Sequence, residues 1–260
     1  GWGKSTVEAC RRLANGVNWS ISGKTTEANR GTGNGVPMKC SPLAVWYASK
    51  TGREFEENGK DILINQKIVD YSAMTHWSKI SAQAGVVHTN AVWMCLVETP
   101  DTFVMKYFFD MIDCCLSEWT SPKDAEHNYY NTDHLDQSKD DLGTPLAKLR
   151  ELWFSGKLKK MTVSELREMF GGGSCYVYDS LPFAYSWFVG NPLSANTLRQ
   201  VCEAGGDTDT NAKMVGEMIG ALNGLSFFQT PENKWMIEGL PSYNSIVAVA
   251  DQLCDTLRIS

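Results

Sequence analysis

Ten segments of this chain repeat their apolar residues every three to four positions: 42–50, 62–71, 78–98, 101–119, 144–155, 163–170, 179–189, 194–204, 210–225 and 242–257. That spacing gives each segment one apolar stripe as a helix and none as a strand. The opening "GWGKSTVEACRRLANG" continues the pattern, with Val7, Cys10 and Leu13 on one face. Alternating runs joined by hairpin dipeptides are nearly absent, so the predicted fold is all-α. With 260 residues the chain is long enough to enclose a full core. No repeat or low-complexity linker divides it, and one domain over residues 1–260 is the expectation. Because the first residue is Gly and the opening segment reads as a helix already under way, the chain is expected to be the later part of a longer one.

Charge narrows the partners. The formal net charge is -6, and no basic run is longer than Lys159–Lys160. That balance argues against a nucleic-acid or anionic-membrane surface and favours small-molecule ligands. A bilayer span needs roughly 18–20 apolar residues, and "SAQAGVVHTNAVWMCLV" is interrupted by His88, Thr89 and Asn90. Eight cysteines occur without a C-x-x-C pair, which predicts buried free thiols and a cytoplasmic, reducing location.

Two stretches resist the helical pattern. "SISGKTTEANRGTGNGVPMKCSP" (20–42) is too long and too rich in glycine for a plain connector. Its "GTGNGVPMK" (31–39) offers amides unobstructed by side chains, which suits an anion-binding nest or, equally, a tight turn needing positive φ. The stretch 121–143 holds His127, Asp133, His134, Asp136, Asp140 and Asp141. Its spacing matches no common metal motif and reads as a solvated acidic loop. "GKST" near the start lacks the upstream glycine and strand of a phosphate loop. "SAMTH" (72–76) joins two helices, where His76 can contact a ligand or pack and cap.

"EAGGDTDTNAKMVGEMIGALNG" (203–224) is the most informative stretch. One carboxylate caps a helix start, so the second of Asp207 and Asp209 is surplus to capping. Asp-Thr-Asp-Thr supplies hard oxygen donors, which suit Mg²⁺, Mn²⁺ or Ca²⁺ and suit zinc poorly. Two adjacent carboxylates stay ionised more easily beside cations. Such a site normally draws ligands from a second acidic segment too. Glycines at 205, 206, 216, 220 and 224 predict close backbone approach, those in the helix through tight packing against the bundle.

Three segments together carry a family resemblance. "GNGVPMKCSPLA", "SAMTHWSKISAQAG" and "GGDTDTNAKMVGEMIGALNG" resemble, in order, motifs of the ADP-ribosylglycohydrolase family; "GWGKST" and "YVYDSLPFAYSWF" also fall in family order. Members include the glycohydrolase that reactivates dinitrogenase reductase and the J1 crystallins. The resemblance implies a compact all-helical bundle around two Mg²⁺ or Mn²⁺ ions and an ADP-ribose cleft. It matches Asp207, Asp209 and Thr210 to metal ligands. Arg30, Gly31, Thr32 and Asn34 match a loop along the diphosphate and ribose, His76 a pocket residue near the diphosphate, and Gly3 a small residue near the cleft. Relatives carry a T-D-D-T-like segment with the remaining metal ligands, and often a catalytic Glu. Residues 1–260 hold no T-D-D, so the chain is expected to be N-terminally truncated, with about half of a metal site and its catalytic residue elsewhere. Lys39 stands where relatives have Arg, keeping the charge without the planar fork. The implied function is removal of ADP-ribose from a modified protein side chain or small molecule. The alternative is an inactive J1-crystallin-like structural or ADP-ribose-binding protein.

Overall fold

The computed structural model describes residues 2–25, 31–51, 61–120, 135 and 140–259. His127, Asp133, His134 and Asp136 lie outside them, as does Arg30. The described residues form thirteen α-helices and no named strand. In order they are α1 (Lys4–Ala14), α2 (Trp19–Ser22), α3 (Ser41–Thr51), α4 (Asp61–Ala73), α5 (Lys79–Val97), α6 (Met105–Thr120), α7 (Gly143–Phe154), α8 (Val163–Met169), α9 (Val177–Gly190), α10 (Asn196–Glu203), α11 (Thr208–Phe228), α12 (Trp235–Glu238) and α13 (Tyr243–Ile259). The fold is all-α, and the ten periodic segments all became helices.

α5 is the axis. Every residue from Ile80 to Cys95 is buried, because α3, α4, α6, α9 and α11 pack around it. By length and composition alone this helix could cross a bilayer, contrary to the expectation that no stretch would; here its own chain surrounds it. His88, Thr89 and Asn90 do not interrupt it. They are buried with it.

A buried histidine and carboxylate are costly unless their polar atoms are paired. His88 of α5 meets the Tyr185 hydroxyl of α9 at 3.1 Å through Nδ1 and Glu217 of α11 at 2.9 Å through Nε2. A ring protonated on Nε2 alone satisfies both contacts. Ser41 donates to the other Glu217 oxygen at 2.6 Å, and Lys213 donates there too. The clasp thus ties the three central helices at one level and fixes how far α11 projects. Burial pushes the Glu217 carboxyl up, but hydrogen bonds from His88 and Lys213, with the Lys213 charge, hold it below its ordinary value. A depressed folded value contributes stability above the unfolded carboxylate range, lost as pH falls through the folded value. Glu217→Gln is therefore expected to lower the urea midpoint at pH 7 and to narrow the gap to wild type below pH 4. A constant gap between pH 7 and pH 3 would show that the ionised carboxylate does not stabilise the fold.

All eight cysteines lie in the described residues and none forms a disulfide. Cys40, Cys95 and Cys115 are buried as expected; Cys114, Cys175, Cys202 and Cys254 are exposed.

Candidate active site

The start of α11 forms one wall of a cleft of about 1010 Å³. Loop 31–39, the entry to α1 and residues 175–176 form the others. Gly3, Gly31, Thr32, Asn34, His76, Asp207, Asp209 and Thr210 all line this one cavity. Sequence reasoning did not place Trp2, Thr75, Asp140, Cys175 or Tyr176 there, although they line it too.

The chain reaches Asp207 through a tight glycine junction. Gly205 and Gly206 have φ of +80° and +85°, a region that disfavours side chains. A Cβ on Gly206 would lie 2.4 Å from the Gly172 carbonyl oxygen and 2.6 Å from that of Gly173. The close approach is therefore to the chain's own backbone at Gly206, and to the Arg167 side chain, 2.7 Å from a Cβ at the position, at Gly205. The Asp207 amide then donates to the Gly173 carbonyl at 2.8 Å. Farther along, the expected tight packing is absent: a Cβ at Gly216 or Gly220 would make ordinary contacts at 3.5 and 3.9 Å, and Gly224 faces open space. Gly224 instead adopts φ +74°, so its glycine serves a backbone kink.

Asp207 occupies the N-cap position of α11, yet its carboxylate makes no capping hydrogen bond. Its Oδ2 instead accepts from Asn34 Nδ2 at 2.7 Å. The same amide donates to Ser180 Oγ at 2.9 Å; Ser180 donates to Asn211 Oδ1 at 2.8 Å, and Asn211 Nδ2 donates to the Gly173 carbonyl at 2.8 Å. These groups join loop 31–39, α9 and α11 around one carboxylate. Asp209 accepts from the Thr210 amide at 2.9 Å. A hydrogen bond shared with Asp207, then that amide, hold Asp209 below the usual carboxylate range despite slight burial.

Loop 31–36 is fixed from both sides. Gly31, at φ +76°, passes so close to the α4–α5 junction that a Cβ would lie 2.8 Å from the Trp77 amide nitrogen. Its carbonyl accepts from Ser78 and Ser81 at 2.6 and 2.7 Å, and its amide donates to Ser5 Oγ at 3.2 Å. On its other side, the Asn34 backbone N–H donates to the Cys175 carbonyl and the Val177 N–H to the Thr32 carbonyl, each at 3.0 Å.

A family model described as ADP-ribosylglycohydrolase matches residues 1–258. The chain belongs to the ADP-ribosylglycohydrolase family. A comparison with curated proteins returned no match. Membership supports a hydrolase of glycosidic bonds and, in general, ADP-ribosylated substrates.

On this ADP-ribosylglycohydrolase fold, Lys39, Thr75 and His76 also line the cleft. Lys39 Nζ donates to Thr75 Oγ1 at 2.8 Å and sits 4.9 Å from the Tyr71 ring centre. Burial lowers the Lys39 pKa, partly offset by the neighbouring Cys10 and Cys40 thiols. Thr75 Oγ1 contacts His76 Nδ1 at 2.8 Å. Burial, with the Lys39 charge, holds His76 down to about 3, so the ring is neutral at pH 7. Near the mouth, Tyr176 donates to Asp140, and burial with that carboxylate pushes the phenol up. Cys175 is raised by burial and by Asp207.

The donor set tests whether a divalent cation suits the site. Asp207, Asp209 and Thr210 present hard oxygens to one cavity, and two carboxylates two positions apart at one helix start carry a repulsion that a cation relieves. These donors fit Mg²⁺ or Mn²⁺. Among the described residues no group of three or more His, Cys, Asp or Glu is placed to hold a metal, so the three oxygens make a partial set.

Proposed function

We propose that this chain acts in the hydrolytic release of ADP-ribose from a modified protein side chain or small molecule, with Asp207, Asp209 and Thr210 contributing to a two-Mg²⁺ centre in which Mn²⁺ can substitute. The observation that carries this reading is the uncapped Asp207 carboxylate, turned from its own helix amides into a cleft whose other wall is glycine backbone and Lys39. When bound, the metal pair would act as a Lewis acid and template for the ribose hydroxyls and the attacking water. Asn34 fixes Asp207, so the carboxylate need not reorganise during the reaction. Gly31, Thr32, Asn34 and His76 line the region proposed for the diphosphate and ribose, and Gly3 leaves space at the entry to α1. Eight cysteines without a disulfide suit a cytoplasmic location.

Two experiments test this. ADP-ribose release from ADP-ribosyl-arginine and ADP-ribosyl-serine peptides should require Mg²⁺ and stop on chelation. Binding of ADP-ribose without turnover on either peptide would favour the J1-crystallin-like alternative, for which Lys39 in place of Arg is the motivating difference. Asn34→Ala removes a positioning contact outside the proposed metal ligands. Such changes cost about 10- to 100-fold in metal affinity, so calorimetry with Mg²⁺ and ADP-ribose should show at least the lower figure. Unchanged affinity would mean that Asp207 is oriented without Asn34.

A further inference from the structure

Lys39, Thr75 and His76 form a hydrogen-bonded line from the cleft into the wall, and the donors and acceptors along it can be counted. A lysine ammonium has three N–H donors and no acceptor. At the 2.8 Å Lys39–Thr75 contact the threonine oxygen therefore accepts. Its own hydrogen must then go elsewhere, and the partner within reach is His76 Nδ1, also at 2.8 Å. If Nδ1 instead carried a proton, Thr75 Oγ1 would accept twice and its hydroxyl hydrogen would be left without an acceptor in a buried position. The count leaves Nδ1 as the acceptor and puts the ring proton on Nε2.

Nε2 has no protein partner among the described residues. Its edge of the ring lies along the glycine loop: a Cβ on Gly35 would fall 2.6 Å from His76 Cε1 and 2.8 Å from Nε2, and one on Gly33 would fall 3.7 Å from Nε2. The ring can occupy this place only because the loop has no side chain there. Both His76 and Lys39 line the cleft. Lys39 has no carboxylate partner in the described residues and keeps N–H donors beyond the one given to Thr75.

We propose that Lys39 is a positioning residue that acts through Thr75 to lock His76 in its Nε2-protonated tautomer, so that the ring and the Lys39 ammonium together present fixed donors to a diphosphate oxygen in the cleft. The ligand half of this inference rests on the ADP-ribose reading above; the tautomer half stands on geometry alone. A merely structural Lys39 would fill space and stack on Tyr71, with no effect on which nitrogen of His76 holds the proton. A relay requires that effect.

The test is long-range ¹H–¹⁵N correlation on the full chain labelled with ¹⁵N-histidine at pH 7, with His76→Gln identifying the His76 signals among the four histidines. In wild type, Nδ1 should appear at the unprotonated position and Nε2 at the protonated one. In Lys39→Met, Thr75 is free to accept from Nδ1–H, and the Nδ1-protonated form should appear; Lys39→Arg should restore the wild-type pattern. Thr75→Val, which removes the hydroxyl and keeps the shape, should also release the tautomer if Lys39→Met does not fold. An Nδ1-protonated ring in wild type, or an identical pattern in wild type, Lys39→Met and Thr75→Val, would overturn the relay. Calorimetry with ADP-ribose separates the two halves: Lys39→Met should weaken binding about 10-fold or more, as for loss of one charged hydrogen bond. A wild-type protein with the expected tautomer and no ADP-ribose binding would uphold the relay and overturn its ligand.

Discussion

Asp209→Asn is expected to lower Mg²⁺-dependent ADP-ribose release by on the order of 100-fold or more, the scale on which losing one charge-stabilising group acts in an organised site. The substitution is nearly isosteric, and Asp209 is an exposed residue in the first turn of α11. Its cost to the helix is limited to the interaction of a carboxylate with the helix dipole, about 0.3–1 kcal/mol. Activity and stability should therefore separate: turnover nearly lost, melting temperature within a few degrees of wild type. Asp207→Asn is less clean, because its new amide would face the Asn34 amide that now donates to Asp207 Oδ2. Turnover by Asp209→Asn at the wild-type rate would remove the surplus carboxylate from the chemistry.

Gly206→Ala should destabilise the fold by about 2–4 kcal/mol, combining an unfavourable left-handed conformation with overpacking. The glycine has φ +85°, and the added methyl would sit 2.4 Å from one backbone carbonyl oxygen and 2.6 Å from another. Neither oxygen belongs to a flexible side chain that could swing away. Relief would require the 171–173 turn to part from the 205–207 turn, breaking the hydrogen bond from the Asp207 amide to Gly173. The same motion would shift Asn211, which holds the Gly173 carbonyl from the other side. Loss of divalent-cation binding should accompany the loss of stability, read together by chemical denaturation and calorimetry. Gly216→Ala is the control. Its Cβ would make one ordinary contact at 3.5 Å with Leu198, and alanine favours a helix interior, so stability should hold or rise. Equal destabilisation by the two substitutions would mean that the glycine junction does not brace the site.

The helices were legible because apolar spacing is a local property: α6, α10 and α13 each follow from the apolar stripe of their own residues. The Asp-Thr-Asp-Thr surplus was legible for a similar reason, since one carboxylate suffices for a cap. Glycine was harder to read. At 206 it answers to two carbonyls brought from 172 and 173 by the fold, whereas at 224 it answers to its own backbone angle, and sequence records both needs with the same letter. The groups that aim Asp207 were illegible for a further reason. Asn34, Ser180 and Asn211 come from three elements, and Asn34 and Ser180 lie 146 positions apart in sequence. Nothing in Ser180's own segment distinguishes a residue that relays a hydrogen bond from one filling the core. Lys39 was visible as a substituted arginine, but its contact with Thr75 depends on the α4–α5 junction folding back against loop 31–39.

Asp207, Asp209 and Thr210 stand or fall as ligands by where a divalent cation binds. The most direct measurement is anomalous diffraction from crystals of the protein grown with Mn²⁺ and ADP-ribose. Manganese density is expected within coordinating distance of Asp207, Asp209 and Thr210, on the cleft side of Asp207 opposite the Asn34 amide. Manganese bound elsewhere, with these three oxygens contacting only protein or water, would contradict it.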